Sequence, residues 1–221
     1  MISAMYNSET WESLAGSLKT AMASMDMAPD VALAQRVVDY LRLLDKWNGV
    51  YNLTAITGPG EMMRGHALDC MAIEPHVRGP NILDVGTGAG LPGILLAMMH
   101  PEWEVVMLDS NRKKLAFVNQ AIAELGLGNA RAEHARVEDY HPEQCFDSVV
   151  ARAFSAADRI LNLVGHLVSE RGRVVMMKGR LSGEELAAIP GKGRMINIVP
   201  LNVPGLGAER HLLVSTPVGV E

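Results

Sequence analysis

Apolar residues in the first third of the chain recur with helical spacing. Val37, Val38, Leu41 and Leu44 fall at i, i+1, i+4 and i+7, one stripe of a helix that Asp30 opens and Gly49 closes. A weaker stripe, Leu14, Leu18 and Met22, predicts a helix before it, and Gly58-Pro59-Gly60 marks a turn into another short helical stretch. From residue 81 the pattern changes to short apolar or β-branched runs: Asn81 to Val85, Glu104 to Leu108, Ala130 to His134, Phe146 to Ala151 and Gly172 to Lys178. Helix-length segments separate most of them, which predicts a parallel α/β sheet. Met195 to Val203 and His211 to Thr216, joined by Pro204-Gly205-Leu206-Gly207, read as a terminal antiparallel pair.

Five parallel strands and such a pair depart from the usual dinucleotide-binding order. They suit the Rossmann-like, class I S-adenosylmethionine-dependent methyltransferase fold, an α/β architecture with a seven-stranded, mostly parallel sheet. The expected division is an N-terminal helical cap over residues 1–78 and a core over residues 79–221, together one structural unit. A chain of 221 residues is long enough to bury a sizeable core.

Composition narrows the field. Nearly half the residues are apolar (48%) and a fifth are charged (20%), which is ordinary for a globular protein. The first twenty residues carry Glu9, Glu12 and Lys19 without a basic start or a long apolar run, so neither a signal nor a transit peptide is expected, and the predicted location is the cytoplasm. No uninterrupted apolar stretch approaches the ~20 residues of a membrane span. Cys70 and Cys145 sit outside any metal-ligand spacing and read as reduced, partly buried thiols; no metal site is indicated. A formal charge of −5 argues against indiscriminate binding of nucleic acid, so any polyanionic substrate needs a local basic patch. The cap is itself acidic, with six Lys and Arg against nine Asp and Glu through residue 80. DNA and membrane partners are not expected, and a monomer is.

The chemistry concentrates at Asp84-Val85-Gly86-Thr87-Gly88-Ala89-Gly90. A strand that ends in glycines and leads into a helix brings its backbone close to a ligand. Gly88-Ala89-Gly90-Leu91-Pro92-Gly93 is also a literal GxGxxG, so a nicotinamide-dependent oxidoreductase has to be weighed. Against it, the first glycine of the turn is Gly86, upstream of that match, and Asp84 occupies a strand end where a dinucleotide turn usually has an apolar residue. An acid there suits a cationic, phosphate-free ligand. S-adenosyl-L-methionine, with its sulfonium and ammonium groups, fits that description, and Asp84 is expected to orient that end through the backbone or a water. Asp109, at the end of the second strand, is placed to accept both ribose hydroxyls, or else is an acid at the start of the following helix. Val137 and Glu138 follow the third strand and could cover the adenine.

Arg152 at the fourth strand end, Lys178 and Arg180 at the fifth, and Arg210 and His211 at the last form a candidate cationic rim for RNA phosphates. Arg112-Lys113-Lys114 is a second basic cluster, equally readable as a solvated face. No Asn/Asp-Pro-Pro-aromatic tetrapeptide stands at the fourth strand end and neither cysteine has a Pro-Cys context, which removes amino-group and carbon-5 methylation. A ring nitrogen such as guanine N7 carries an available lone pair and needs no general base. Positioning then supplies much of the catalysis, and no catalytic acid/base residue is nominated.

These residues also occur in blocks: Trp47-Asn48 with Tyr51-Asn52-Leu53-Thr54, His66-Ala67-Leu68-Asp69, Leu83 to Gly93, Leu108-Asp109-Ser110, Arg136-Val137-Glu138, Phe146-Asp147 through Arg152-Ala153-Phe154, Lys178-Gly179 and Glu209-Arg210-His211. As a set they resemble the RsmG family, also called glucose-inhibited division protein B, over nearly the whole chain after about residue 30. The resemblance implies methyl transfer to N7 of a guanine in the 530 loop of 16S ribosomal RNA, on the small subunit or an assembly particle. It also implies cofactor contacts from Gly86, Leu91, Val137, Glu138 and Arg152, which draws Arg152 from the rim towards the cofactor. Gly88 and Asp109 complete that set on the reading of the turn. Cys70 departs from the family, where Ser usually follows His-x-x-Asp. Trp47 and Leu53 are candidate anchors of the cap, and His66 with Asp69 is read as a structural pair in preference to an RNA contact. A methyltransferase of the same fold acting on another RNA or a small molecule remains the alternative.

Overall fold

A computed structural model describes residues 9–152, 157–181, 183 and 193–218. Two helices come first among the described residues, α1 (Leu14–Ser24) and α2 (Val31–Tyr51). Asp30 caps α2 by accepting from the backbone N–H groups of Ala32 and Leu33 at 2.7 and 3.2 Å. The expected stop at Gly49 is corrected: α2 runs through it, and the chain leaves the helix at Asn52, in the left-handed region at φ 49°. Asparagine tolerates that conformation as few other side chains do. Pro59 then starts the short α3 (Pro59–Met62), which widens into a π-helical turn (Met63–Leu68) and closes as α4 (Asp69–Met71). The wide turn lets Gly65 sit against Ile56; a Cβ there would lie 2.7 Å from Ile56 Cδ1.

The remaining elements alternate as expected: β1 (Asn81–Val85), α5 (Gly93–Met99), β2 (Glu104–Asp109), α6 (Arg112–Glu124), β3 (Ala130–His134), β4 (Phe146–Arg152), α7 (Ala157–Val164), β5 (Val168–Lys178), β6 (Arg194–Leu201) and β7 (Arg210–Pro217). The sheet has seven strands in the order β3-β2-β1-β4-β5-β7-β6; β1 to β5 run parallel, and β7 lies antiparallel to both β5 and β6. The fifth strand begins at Val168, earlier than expected at Gly172, because Val168 pairs with Phe146 across a register irregularity.

Alternation along each strand builds two cores. Ile82, Val175 and Met177 face the layer of α1, α2, α5 and α6, while Leu83, Val85, Val174 and Met176 face α7. The cap helices share the first core with the sheet: Leu18, Val38, Leu41, Leu44 and Leu68 are fully buried in it. Trp47 anchors α2 to α6, its ring 5.8 Å from Phe117 and 5.1 Å from Tyr51, and Leu53 packs on the same core. Burying one such apolar side chain is worth about 1.5–3 kcal/mol, so the cap is held by the substance of the core.

Candidate active site

β1 ends in a turn held by its own backbone. The N–H groups of Gly86 and Thr87 donate to the Leu108 carbonyl at 2.8 and 3.1 Å, tying the turn to β2. Gly86 and Gly88 take φ of +66° and +62°, a region glycine enters without a Cβ clash. Asp84 lies beneath the turn, fully buried, and its Oδ2 accepts from Thr87 Oγ1 at 2.5 Å and from the Gly93 N–H at 2.9 Å. Burial pushes its carboxyl up to about 6, a rise that the bonds from Thr87 and Gly93 oppose. Of the two routes expected for Asp84, this geometry offers the one through the backbone. Alternation along β1 turns it to the side of Ile82, so it braces the turn and does not line the cavity on the other side.

That cavity, about 310 Å³, lies beyond the carboxyl ends of β1, β2 and β3. Val85, Gly86, Leu108, Asp109, Val137 and Glu138 line it, together with Arg136 and, from α7, Arg159 and Leu163. Four nominated residues thus meet: Gly86, Asp109, Val137 and Glu138. Arg159 and Leu163 escaped the sequence reading; their i, i+4 spacing puts both on one helix face, but nothing local says which cavity the face lines. Asp109 accepts from Gly88 N–H at 2.9 Å through Oδ2 and from Asn111 N–H at 2.8 Å through Oδ1. Each oxygen keeps a second acceptor site. The helix cap proper belongs to Asn111, which accepts from Lys113 and Lys114, so Asp109 is not that cap.

Gly88 and Leu91 do not line the cavity. Gly88 faces open space, with only Gly86 O near a Cβ, at 3.9 Å, and Leu91 is buried in the core below the turn. Arg152 also lies elsewhere. It lines a second cavity, about 400 Å³, beyond β4 and β5 and roofed by the cap, with Thr54, Ile56, His66, Asp69, Lys178 and Arg210. Its Nη1 donates to Gly65 O at 3.4 Å and to His66 Nδ1 at 3.2 Å. Arg152 is therefore no member of an exposed rim: strand alternation carries it under the cap. Ala153 and Phe154, which follow it in the family block, lie outside the described residues.

The rest of the rim also divides. Arg210 Nε donates to Asp69 Oδ1 at 2.9 Å, and Lys178 is buried beside the same cavity. Arg180 alone projects outward, its side chain 88% exposed and 3.7 Å from Glu209. Arg112 and Lys113 are exposed at the start of α6. The expected pairing of His66 with Asp69 is corrected, because each has another partner. His66 Nε2 lies 2.8 Å from Thr54 Oγ1, and Asp69 takes the Arg210 guanidinium. Burial first, and then the Arg152 charge, hold the His66 imidazole down at about 4. Cys70 is buried under the cap, its thiol pushed up to about 12 by burial, whereas Cys145 is exposed where a partly buried thiol was expected.

A glycine turn over a braced acid, a carboxylate at the next strand end and this strand order make one architecture. A family model for rRNA small subunit methyltransferase G (GidB) matches residues 33–213. The chain belongs to that family. The ribosomal RNA small subunit methyltransferase G of Laribacter hongkongensis is 43% identical over 196 residues, 89% of this chain and 95% of that one. The protein of the same description from Hydrogenovibrio crunogenus is 47% identical over 178 residues, 80% and 82% of the two chains. Among solved structures, a SAM-dependent methyltransferase from Aquifex aeolicus superposes with a TM-score of 0.57 at 16% identity, covering 76% of this chain and 97% of its own. The [4+2]-cyclase SpnF reaches 0.59 at 15% identity, covering 81% and 93%. A cyclase on the same scaffold shows why these likenesses speak for the fold alone. Family membership makes this chain a methyltransferase that takes its methyl group from S-adenosylmethionine.

The first cavity fits that donor. Asp109 keeps acceptor sites for two hydroxyls, Leu108, Val137 and Leu163 supply apolar wall for a flat base, and Glu138 adds polar capacity beside them. The backbone at Gly86 and Gly88 can be approached closely for want of side chains.

Proposed function

We propose that this chain methylates N7 of a guanine in the 530 loop of 16S ribosomal RNA, on the small subunit or an assembly particle. The observation that carries the reading is that two cavities flank the carboxyl ends of neighbouring strands. Val85 of β1, which lines the first, is paired in register with Ala151 of β4, and the next residue, Arg152, lines the second. A donor in one and an acceptor base in the other would meet at that seam.

In the first cavity Gly86 and Gly88 would admit the donor to the turn, Asp109 would accept the ribose hydroxyls, and Val137 with Glu138 would cover the base. Leu91 would support the turn from the core, and Arg152, at the seam, offers a cation to the donor's carboxylate. Bound S-adenosylmethionine supplies an electrophilic methyl carbon, and its sulfur departs as a neutral thioether when a lone pair on the acceptor takes that carbon. Guanine N7 has such a lone pair in the ring plane, so no proton has to be removed first. The second cavity agrees with this economy: its imidazole and its carboxylate already have partners in Arg152 and Arg210. The residues then contribute by holding two reactants in line, an advantage worth up to ~7–11 kcal/mol. Arg180, the one exposed cation of the expected rim, would meet RNA phosphates around this opening, while Arg210 stays with Asp69 and Lys178 stays buried.

Transfer of labelled methyl to small-subunit RNA, with the modified nucleotide mapped, tests the reading. A strain lacking the gene is expected to lose that one methylated guanine. Unchanged modification there, or transfer only to another RNA or to small molecules, would overturn it.

A further inference from the structure

The second cavity contains a chain of hydrogen bonds whose polarity can be worked out. A guanidinium has only donors, so Arg152 Nη1, 3.2 Å from His66 Nδ1, makes Nδ1 an acceptor. The Gly65 carbonyl lies 3.1 Å from the same nitrogen and accepts from the same Nη1 at 3.4 Å; a proton on Nδ1 could reach that carbonyl, but it would leave the Arg152 N–H facing another N–H, so the cation favours a bare Nδ1. Neutral His66 then carries its proton on Nε2 and donates it to Thr54 Oγ1 at 2.8 Å. Thr54 Oγ1 also accepts from Ile56 N–H at 3.0 Å. With both acceptor sites filled, the Thr54 hydroxyl can act only as a donor.

The same threonine is held in place by the backbone before it. Asn48 Oδ1 accepts from Thr54 N–H at 2.9 Å, and Asn52 turns the chain out of α2 in the left-handed region. These positions belong to the block Asn48, Tyr51-Asn52-Leu53-Thr54, which nothing in the donor cavity uses. Asp69 lines the same cavity, and Arg210 occupies one of its roughly four acceptor sites. The cavity thus offers a fixed donor and a fixed anionic acceptor.

We propose that this cavity takes the acceptor guanine and reads its Watson–Crick edge, Thr54 donating to O6 and Asp69 accepting from N1–H and the 2-amino group, with His66 and Arg152 as positioning residues that fix the Thr54 proton. The proposal rests on the guanine reading above. Adenine presents an amino group where Thr54 needs an acceptor and has no N1–H for Asp69. Recognition along that edge leaves N7, on the opposite side of the base, unencumbered for the methyl group.

The test uses small-subunit RNA carrying at the target position guanine, 6-thioguanine, whose sulfur is a weak acceptor, or hypoxanthine, which lacks the 2-amino group. For the wild type, kcat/KM for methyl transfer is expected to fall roughly 10- to 100-fold on each analogue. Thr54→Val should lose a similar factor on guanine, show no further loss on 6-thioguanine and keep the penalty on hypoxanthine, while Thr54→Ser restores the wild-type pattern. His66→Phe should flatten the guanine to 6-thioguanine difference, which a merely structural role would not do. Affinity for S-adenosylhomocysteine, unchanged throughout, reports that each variant is folded. A Thr54→Val enzyme that still prefers guanine to 6-thioguanine by the wild-type factor, or matches wild type on guanine, overturns the proposal. A wild type that methylates no small-subunit RNA overturns the guanine reading itself.

Discussion

The two cavities of this enzyme lie at neighbouring strand ends but are built in opposite ways. The one beyond β1 to β3 is made mostly of short consecutive pieces, Val85-Gly86, Leu108-Asp109-Ser110 and Arg136-Val137-Glu138, each at or just after a strand end, with Arg159 and Leu163 of α7 beside them. The one beneath the cap draws on Thr54, His66, Asp69, Arg152 and Arg210, single residues scattered through the chain and tied together by side-chain bonds. Backbone shape makes the first; a polar network makes the second. That difference suits a site for an invariant small molecule beside one that must discriminate among bases, because only a network can oppose the wrong hydrogen-bonding pattern.

The largest expected effect separates them outright. Gly86→Val puts a branched side chain at φ +66° on the wall of the first cavity. The strain is worth about 1–2 kcal/mol of stability, but calorimetry should find no binding of S-adenosylhomocysteine. Ordinary affinity in the folded variant would refute the assigned pocket.

Next comes a pair of pH effects of opposite sign. Asp84 titrates near 6 in the fold against an ordinary 3.8, so the stability its proton confers is full below about 4 and is lost as pH rises through 6. His66 titrates near 4 against an ordinary 6.5, so its contribution is present above 6.5 and is lost as pH falls towards 4. Each is worth about 3 kcal/mol over its window. In urea unfolding between pH 7.5 and 4.5, wild type should gain on Asp84→Asn and lose ground to His66→Phe as pH drops. Differences that move in the same direction would mean the buried network is charged otherwise than described.

The contrast also explains what could be read from the chain alone. Strand positions emerged because burial on both faces of a parallel sheet leaves apolar runs that need no knowledge of partners, as in Val105 to Leu108 and Val174 to Met177. Gly86, Asp109, Val137 and Glu138 could be read for a similar reason, since each has a fixed place relative to a strand end. Which layer Asp84 faces was not legible: a residue inside a strand faces whichever layer alternation dictates, and Ile82 shares its side. Arg152 shows the same limit, its burial depending on a cap more than eighty residues earlier in the chain. The pairing of His66 with Asp69 failed because helical spacing reports proximity and not the competition of Arg152 and Arg210 for the same atoms.

A smaller effect tests whether the cavities are independent. Asp109→Ala removes the acceptor for Gly88 and Asn111 as well as the proposed ribose contact. Affinity for S-adenosylhomocysteine should fall roughly 10- to 100-fold, the scale of losing hydrogen bonds to a charged group. The guanine to 6-thioguanine ratio, measured at saturating donor, should stay at the wild-type value. A changed ratio would mean that the turn and the cap communicate through Asp84 and Arg152.

The smallest expected effect divides the cations that the strand ends present. Arg180 is exposed, and a surface pair with Glu209 at 3.7 Å contributes little, so its charge is available to RNA phosphates at small cost. Arg180→Ala should reduce the slope of log affinity against log salt by about 1 and leave thermal unfolding unchanged. Arg210 is committed to buried Asp69, and Arg210→Ala leaves that carboxylate without its partner. Its signature should be lowered stability with relaxed discrimination against hypoxanthine, while the salt slope stays as in wild type. A slope reduced equally in both variants would return Arg210 to the phosphate-binding rim and take from Asp69 its fixed orientation towards the base.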